Sequence, residues 1–200
     1  MNPRFSILVP SIPSRIEKYL TPLFRKLEAQ VPDGSVEIIS LLDNKTRSVG
    51  LKRDALVQAA RGDYLAFCDD DDDVSLNYVS SILEAIKANP SVDVIVFKQM
   101  STINGGNPFI VEFGLEYSNE EASLVDGIWR DIRRQPFHIC AWRRELAQAH
   151  RFPDASYGED WHWCSRVLSD VKTEARIDDV LHFYRYSDSV TEAEVVFPKD

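Results

Sequence analysis

Asp63-Tyr64-Leu65-Ala66-Phe67-Cys68-Asp69-Asp70-Asp71-Asp72-Asp73 is the stretch whose reading decides the fold. Tyr64 to Cys68 is an uninterrupted apolar run of strand length, of the kind a sheet buries on both faces. Five consecutive carboxylates follow it. Like charges side by side repel, so a fold that sets them at the end of a buried strand calls for a counter-cation, and a hard divalent metal is the first candidate. The competing reading is a solvated turn that caps a helix beginning near Ser75, because aspartate is favoured ahead of a helix N-terminus.

Outward from this stretch, apolar runs alternate with helix-period segments, the signature of an α/β fold with a largely parallel sheet. Strands are expected at Phe5 to Val9, Val36 to Leu42, Tyr64 to Cys68 and Val92 to Phe97. Helices are expected at about Arg15 to Gln30, Ser48 to Ala60 and Ser75 to Asn89. The last carries Leu76, Val79, Ile82, Leu83 and Ile86 on one face, and Pro22 is placed to kink the first. After Lys98 the pattern loosens through Asn104-Gly105-Gly106-Asn107-Pro108. Phe109 to Phe113 and His138 to Trp142 then suggest strands of a mixed extension, and Gly158 to Asp170 reads as a helix.

The chain has 200 residues, 44% hydrophobic and 28% charged, enough for one domain with a substantial core and too few for two comfortable ones. A formal net charge of -9 argues against a protein that coats nucleic acid or an anionic membrane through its overall field. Arg130, Arg133, Arg134, Arg143 and Arg144 are a local basic cluster, read either as a meeting point for a phosphate-bearing acceptor or as an ordinary solvated face. Cys68, Cys140 and Cys164 lack Cys-x-x-Cys spacing and sit in apolar or amphipathic stretches, which argues for buried thiols in a reducing compartment and against zinc. The apolar run Phe5 to Val9 is too short for a signal peptide and no later run reaches spanning length, so a cytoplasmic protein is expected.

In an open parallel sheet, ligands bind beyond the carboxyl ends of the strands. The first strand runs into Pro10-Ser11-Ile12-Pro13-Ser14-Arg15, the second into Asp43-Asn44-Lys45 and the third into the aspartates. Together they offer acidic, basic and metal-binding groups along one crevice, which suits a ligand with a base to recognise and a diphosphate to neutralise.

The chain resembles the family 2 glycosyltransferases, whose nucleotide-diphospho-sugar transferase fold is called GT-A. The resemblance is carried by Ile7 to Ser11 with Arg15, Glu37 to Asp43, Lys52-Arg53-Asp54, Ala60 to Tyr64, Ala66 to Asp72 and Gly158-Glu159-Asp160, in the family's order. It implies a Rossmann-like single domain with a mostly parallel sheet flanked by helices. Residues 1–98 would bind a nucleotide-sugar and residues 99–200 an acceptor. It further implies metal-dependent, inverting transfer from a nucleotide-diphosphate sugar, most commonly a UDP-sugar.

Residue by residue, Pro10, Ser11 and Arg15 would line the nucleotide pocket, Asp43 would bind the base, and Arg53 would contact the nucleotide. Asp69 and Asp71 match the Asp-x-Asp pair, the first near the ribose or metal and the second a metal ligand for Mn²⁺ or Mg²⁺. Five aspartates also admit a register in which Asp70 and Asp72 take those places. Asp160 matches the general base, Arg166 is placed as a phosphate partner, and His182 as a further metal ligand or an ordinary satisfied histidine. Lys52-Arg53-Asp54 departs from the family's Ala-Arg-Asn, and Asp43-Asn44-Lys45-Thr46 from Asp-Asp-Gly-Ser, which leaves base and sugar open.

The chemistry asks for these residue types on its own terms. A nucleoside diphosphate leaves readily only when its developing charge is met, and an acceptor hydroxyl needs a carboxylate to take its proton. Glu159 and Asp160 alone would also suit a helix dipole. Trp161, Cys164, Leu168 and Val171 recur at helical spacing and read as core, whereas Trp163, three residues after Asp160, reads equally as an acceptor floor or as core. Two other classes compete. A sugar-nucleotide-forming nucleotidyltransferase would need a Gly-rich phosphate loop, and Pro10 to Arg15 has no glycine. A non-catalytic nucleotide-sugar-binding module would have no use for Asp71 and Asp160. The acceptor stays open among a glycan, another soluble hydroxyl compound and a modified base in nucleic acid.

Overall fold

The computed structural model describes residues 3–188; the part of the expected acceptor-side tail from residue 189 onward lies outside them. Its strands are β1 (Phe5–Ser11), β2 (Val36–Leu42), β3 (Tyr64–Phe67), β4 (Asp73–Val74), β5 (Val94–Ile103), β6 (Phe109–Phe113), β7 (Leu124–Val125), β8 (Ile128–Trp129), β9 (Ile132–Arg134), β10 (Ala141–Arg143) and β11 (Glu174–Tyr186). Five α-helices accompany them: α1 (Thr21–Glu28), α2 (Val49–Ala59), α3 (Tyr78–Ala88), α4 (Arg144–Ala149) and α5 (Glu159–Leu168).

The main sheet runs β2-β1-β3-β10-β5-β11-β4, with β6 on the other side of β5 and β9 beyond it. Strands β1, β2, β3, β5 and β11 share one direction; β10, inserted between β3 and β5, opposes both. The expected mixed α/β sheet is therefore present, mainly parallel and flanked by helices. β1 is buried at all seven positions, as its continuous apolar run demands of a central strand, while β2 at the edge is only half-buried.

Several boundaries differ from expectation for identifiable reasons. The helical stretch after β1 starts with a 3₁₀ turn (Pro13–Arg15) and a wide π turn (Ile16–Leu20), so Pro22 falls in the first turn of α1, where its missing N–H costs nothing. Helix α3 begins at Tyr78, not Ser75, and Leu76 lies outside it, 82% exposed. The acidic run does not cap that helix. Asp73 and Val74 instead pair with Phe183 and His182 of β11. Of His138 to Trp142 only Ala141 and Trp142 are strand, because Phe137 O accepts the Cys140 N–H and turns the chain there. All three cysteines are free and buried, as expected.

Two close approaches fix the helices around the crevice. A Cβ on Gly50 would lie 2.0 Å from Pro153 O, and the Gly50 N–H donates to Ala155 O, so the start of α2 sits directly on the loop that leads to α5. Gly158 then takes φ 71° at the N-cap of α5, a left-handed turn suited to glycine.

Candidate active site

The carboxyl ends of β1 and β3, the start of α2 and the start of α5 border one cleft of about 1700 Å³. Ligand pockets commonly hold about 300–1,000 Å³, so there is room for two substrates side by side. Pro10, Ser11, Arg15, Arg53, Asp69, Asp70, Asp71 and Asp160 all line it.

Each aspartate of the run has a basic side chain close by, with Arg15 shared between two of them, and this lowers the cost of five adjacent carboxylates. Asp69 Oδ2 accepts from Arg53 Nη2 at 2.8 Å. Asp70 accepts from Ser11 Oγ at 2.5 Å and from Arg15 Nη1 at 2.8 Å, and Arg15 Nη2 lies 3.1 Å from Asp71. Asp72 lies 3.4 Å from His182 Nε2, and Asp73 is held by Lys26 at 2.6 Å and Arg185 at 3.3 Å.

The balance differs from one carboxylate to the next. Burial pushes Asp69 up, but the guanidinium of Arg53 outweighs it and holds the group below its ordinary range. Burial and the adjoining Asp72 and Asp69 push Asp71 up to about 7 despite Arg15. Asp71 is thus an under-compensated negative charge on the cleft floor.

Arg53 is the hub. Buried on α2 with its guanidinium carbon 5.0 Å from the Phe67 ring centre, it also donates from Nε to Glu159 Oε1 at 3.2 Å and leaves Nη1 without a partner. Lys52, one residue earlier, donates to Ser11 O at 2.8 Å and lies 2.6 Å from Asp43 Oδ1. Asp43 Oδ2 accepts from Thr46 Oγ1 and the Arg47 N–H, so this carboxylate, held down at about 2 chiefly by Lys52, shapes the 45–48 rim from behind.

On the opposite wall, adjacent positions of α5 diverge by about 100° around the helix. Glu159 is buried against Arg53, and burial raises its pKa. Asp160 faces the cleft, with Oδ1 accepting the Trp161 N–H at 2.7 Å. The same phase corrects the reading of Trp161 as core and decides between the two readings of Trp163. Trp163, four residues after Glu159, is wholly buried against Phe67, Phe152 and Trp142, whereas Trp161 is 43% exposed at the cleft.

Three expected positions stand apart, the first being Asp43, which holds the rim without lining the cleft. Arg166 donates to Arg151 O at 3.0 Å and does not line the cleft. His182 is wholly buried behind Asp72 and does not line it either. The five arginines also do not form one patch. Arg143 and Arg144 sit at the other end of the sheet, where Arg143 pairs with Asp93; Arg133 lies 3.7 Å from Glu112, and of the five only Arg134 borders the cleft.

One functional candidate escaped the sequence reading. His138, given no role there, is buried with Nδ1 3.6 Å from Asp160 Oδ2 and Nε2 4.0 Å from Asp69 Oδ2, bridging the two carboxylates. Burial and Arg53 depress its pKa to about 4, so the ring is neutral. A single polar residue inside the apolar stretch Pro136 to Trp142 was its only signal.

Among the described residues no three His, Cys, Asp or Glu side chains are arranged to hold a metal ion by themselves. The donor set nevertheless suits an ion shared with a ligand. Asp69 Oδ1 is buried without a partner, Asp71 is under-compensated nearby, and Mg²⁺-type sites commonly use one or two carboxylates together with phosphate oxygens. Among the described residues no helix is long and apolar enough to cross a membrane.

Residues 49–145, from α2 through His138 to the start of α4, match the model of glycosyl transferase family 2. No curated protein matches the chain. Among solved structures, S. aureus TarS aligns with TM-score 0.67 at 18% identity, over 92% of this chain and 37% of that one. S. aureus TarS 1-349 in complex with UDP-GlcNAc aligns with TM-score 0.64 at 14% identity, over 95% and 62%. The mannosyltransferase PcManGT from Pyrobaculum calidifontis, in complex with GDP-Man and Mn²⁺, aligns with TM-score 0.55 at 12% identity, over 97% and 59%. The chain therefore spans less than two thirds of the length of each, and what it shares with them is the GT-A fold. The fold and the match over residues 49–145, which holds Arg53 and Asp69 to Asp72 while Pro10, Ser11 and Arg15 precede it, together support a family 2 glycosyltransferase.

Proposed function

We propose that this protein transfers a sugar from a nucleotide-diphosphate sugar, a UDP-sugar in the first instance, to an acceptor hydroxyl, with inversion at the anomeric carbon. The observation that carries the reading is the pairing of opposed walls in one cleft: Arg53, Asp69 and Asp71 on one side and Asp160 on the other. UDP-GlcNAc in the TarS structure and GDP-Man with Mn²⁺ in PcManGT support a donor of this class.

In this reading residues 1–98 bind the donor and residues 99–200 the acceptor. Pro10, Ser11 and the 45–48 rim border the nucleoside, Asp43 acts on the base through the rim it holds, and the free Nη1 of Arg53 donates to the diphosphate. Asp69 and Asp71 would hold Mn²⁺ or Mg²⁺, which when bound offsets charge on the departing diphosphate. Asp160 takes the acceptor proton as the new C–O bond forms on the face opposite the breaking C–O bond, and the nucleoside diphosphate leaves with the bonding electrons. One displacement inverts the centre. His138, neutral and wedged between Asp69 and Asp160, fixes the spacing of donor and acceptor carboxylates.

The test is a panel of nucleotide sugars scored by thermal stabilisation with and without Mn²⁺, followed by transfer assays on the best donor. Metal-dependent stabilisation by one nucleotide sugar above the others is expected. A chain stabilised by none of them is not a transferase of this kind.

A further inference from the structure

The buried cations on the donor side of the cleft are already matched: Arg15 by Asp70 and Asp71, Lys52 by Asp43, Arg53 by Asp69 and Glu159. Arg134, at the end of β9 on the opposite side, is different. Among the described residues no carboxylate lies within ion-pair distance of it, and its Nε is buried without a hydrogen-bond partner. Its guanidinium carbon stands 5.0 Å from the Phe137 ring centre, which holds the group in place without neutralising it. Burial disfavours its charged form, against the opposing field of Asp160 across the cleft.

A desolvated guanidinium without a counter-ion is costly, and a fold that keeps one facing a ligand cleft leaves the counter-ion to the ligand. The fork of N–H donors on arginine fits phosphate or carboxylate through paired bonds. Asp160, Glu120 and Glu121 all oppose an incoming anion; Asp160 is the residue the bound acceptor must meet in any case, and Glu120 and Glu121 are exposed at the rim, where solvent and salt screen them. The Glu120 carboxylate is also engaged by the Arg133 N–H at 2.8 Å.

We propose that Arg134 anchors an acceptor subsite that takes a phosphate or carboxylate group carried by the acceptor, close to the hydroxyl presented to Asp160. This rests on the transferase reading above and narrows it: the acceptor is an anionic hydroxyl compound and not a neutral sugar. The paired donor-side cations and the unpaired Arg134 divide the cleft into a place for the nucleotide and a separate place for a second anion.

The experiment uses the intact protein saturated with UDP and Mg²⁺, or with GDP where UDP gives no shift, titrated calorimetrically with inorganic phosphate in one arm and glucuronate in the other. Wild type is expected to bind at least one anion saturably, and the tighter arm names the group. Arg134→Gln should weaken that binding about tenfold or more, as befits loss of a charge-assisted pair, and Arg134→Lys should fall between. Stabilisation by the nucleotide in each variant confirms that it is folded; if Arg134→Gln does not fold, Arg134→Lys carries the comparison, and wild-type affinity in it overturns the subsite. Equal anion affinity in wild type and Arg134→Gln, or binding of neither anion by the nucleotide-loaded wild type, overturns the subsite while leaving the donor reading intact. A wild type that no nucleotide stabilises overturns the donor reading and the subsite with it.

Discussion

At the scale of single residues, neighbours in sequence do opposite jobs. Glu159 and Asp160 are one peptide apart, yet one is buried in an ion pair with Arg53 and the other faces the cleft. Asp160→Asn is expected to lower transfer by roughly 10²-fold or more with donor affinity kept, as loss of a general base does. Glu159→Gln should instead cost roughly 1–3 kcal/mol of stability, because Arg53 loses a charged acceptor in a buried setting. Turnover and Tm measured on both variants check the split, and a normal turnover in Asp160→Asn moves the base elsewhere. Asp71→Asn is expected to abolish metal-dependent donor binding while raising Tm, since it removes an under-compensated charge from the cluster. The aspartate cluster was legible from sequence because it follows an apolar strand abruptly, whereas Asp160 was singled out only by the resemblance of Gly158-Glu159-Asp160 to a family motif. The bridge made by His138 was not legible: its partners are far from it in sequence and close only after folding. Nor can hydrophobicity tell which of Trp161 and Trp163 faces a cleft, since both are apolar and only the helix phase separates them.

At the scale of elements, the site depends on how closely α2 and the approach to α5 touch. Gly50→Ala would press a methyl group into Pro153 O, and overpacking of this kind typically costs about 1–3 kcal/mol. For a chain of this size that is roughly 2–4 °C of Tm for each kcal/mol. Transfer should fall too, because α5 carries Asp160. An unchanged Tm would mean that the loop yields. Asp93 does comparable work at the other end of the sheet. It accepts from the Lys172 and Thr173 N–H groups and from Thr173 Oγ1, joining the start of β5 to the start of β11. Burial alone would raise its pKa, but these bonds and Arg143 outweigh it and lower the value. Its contribution is therefore complete above the unfolded value of about 3.9 and is lost as pH falls through the lower folded value. Asp93→Asn is expected to be less stable at neutral pH and to lose less on acidification below about pH 4, a difference that urea titrations at several pH values would detect. The three N-terminal parallel strands were readable because each is a mostly apolar, β-branched or aromatic run of strand length. Strands β10 and β11 were not readable in full, one being three residues long and the other carrying Arg176, Asp178 and Asp179 through its middle.

At the scale of the whole molecule, an acidic chain has placed several basic side chains where the aspartates converge, so most of the charge on the donor side is offset before any ligand arrives. A nucleotide sugar with its metal should then act as an added clamp between the two walls. At about 100-fold excess over Kd the gain is about 2.7 kcal/mol, or roughly 5–10 °C in Tm for a chain of this length. Adding a chelator should return Tm to the unliganded value; a shift that survives the chelator would mean that the donor binds without an ion. The layout of the sheet carries one more consequence, for biosynthesis. β10 stands between β3 and β5 and runs against both, so the first three parallel strands have no neighbour on their inner edge until Arg143 has been made. Each of the pairings that complete the sheet is long-range, which slows folding. On the ribosome the first ninety or so residues must wait with the edge of β3 bare, exposed to nascent-chain chaperones and to aggregation, until a three-residue strand arrives to close it.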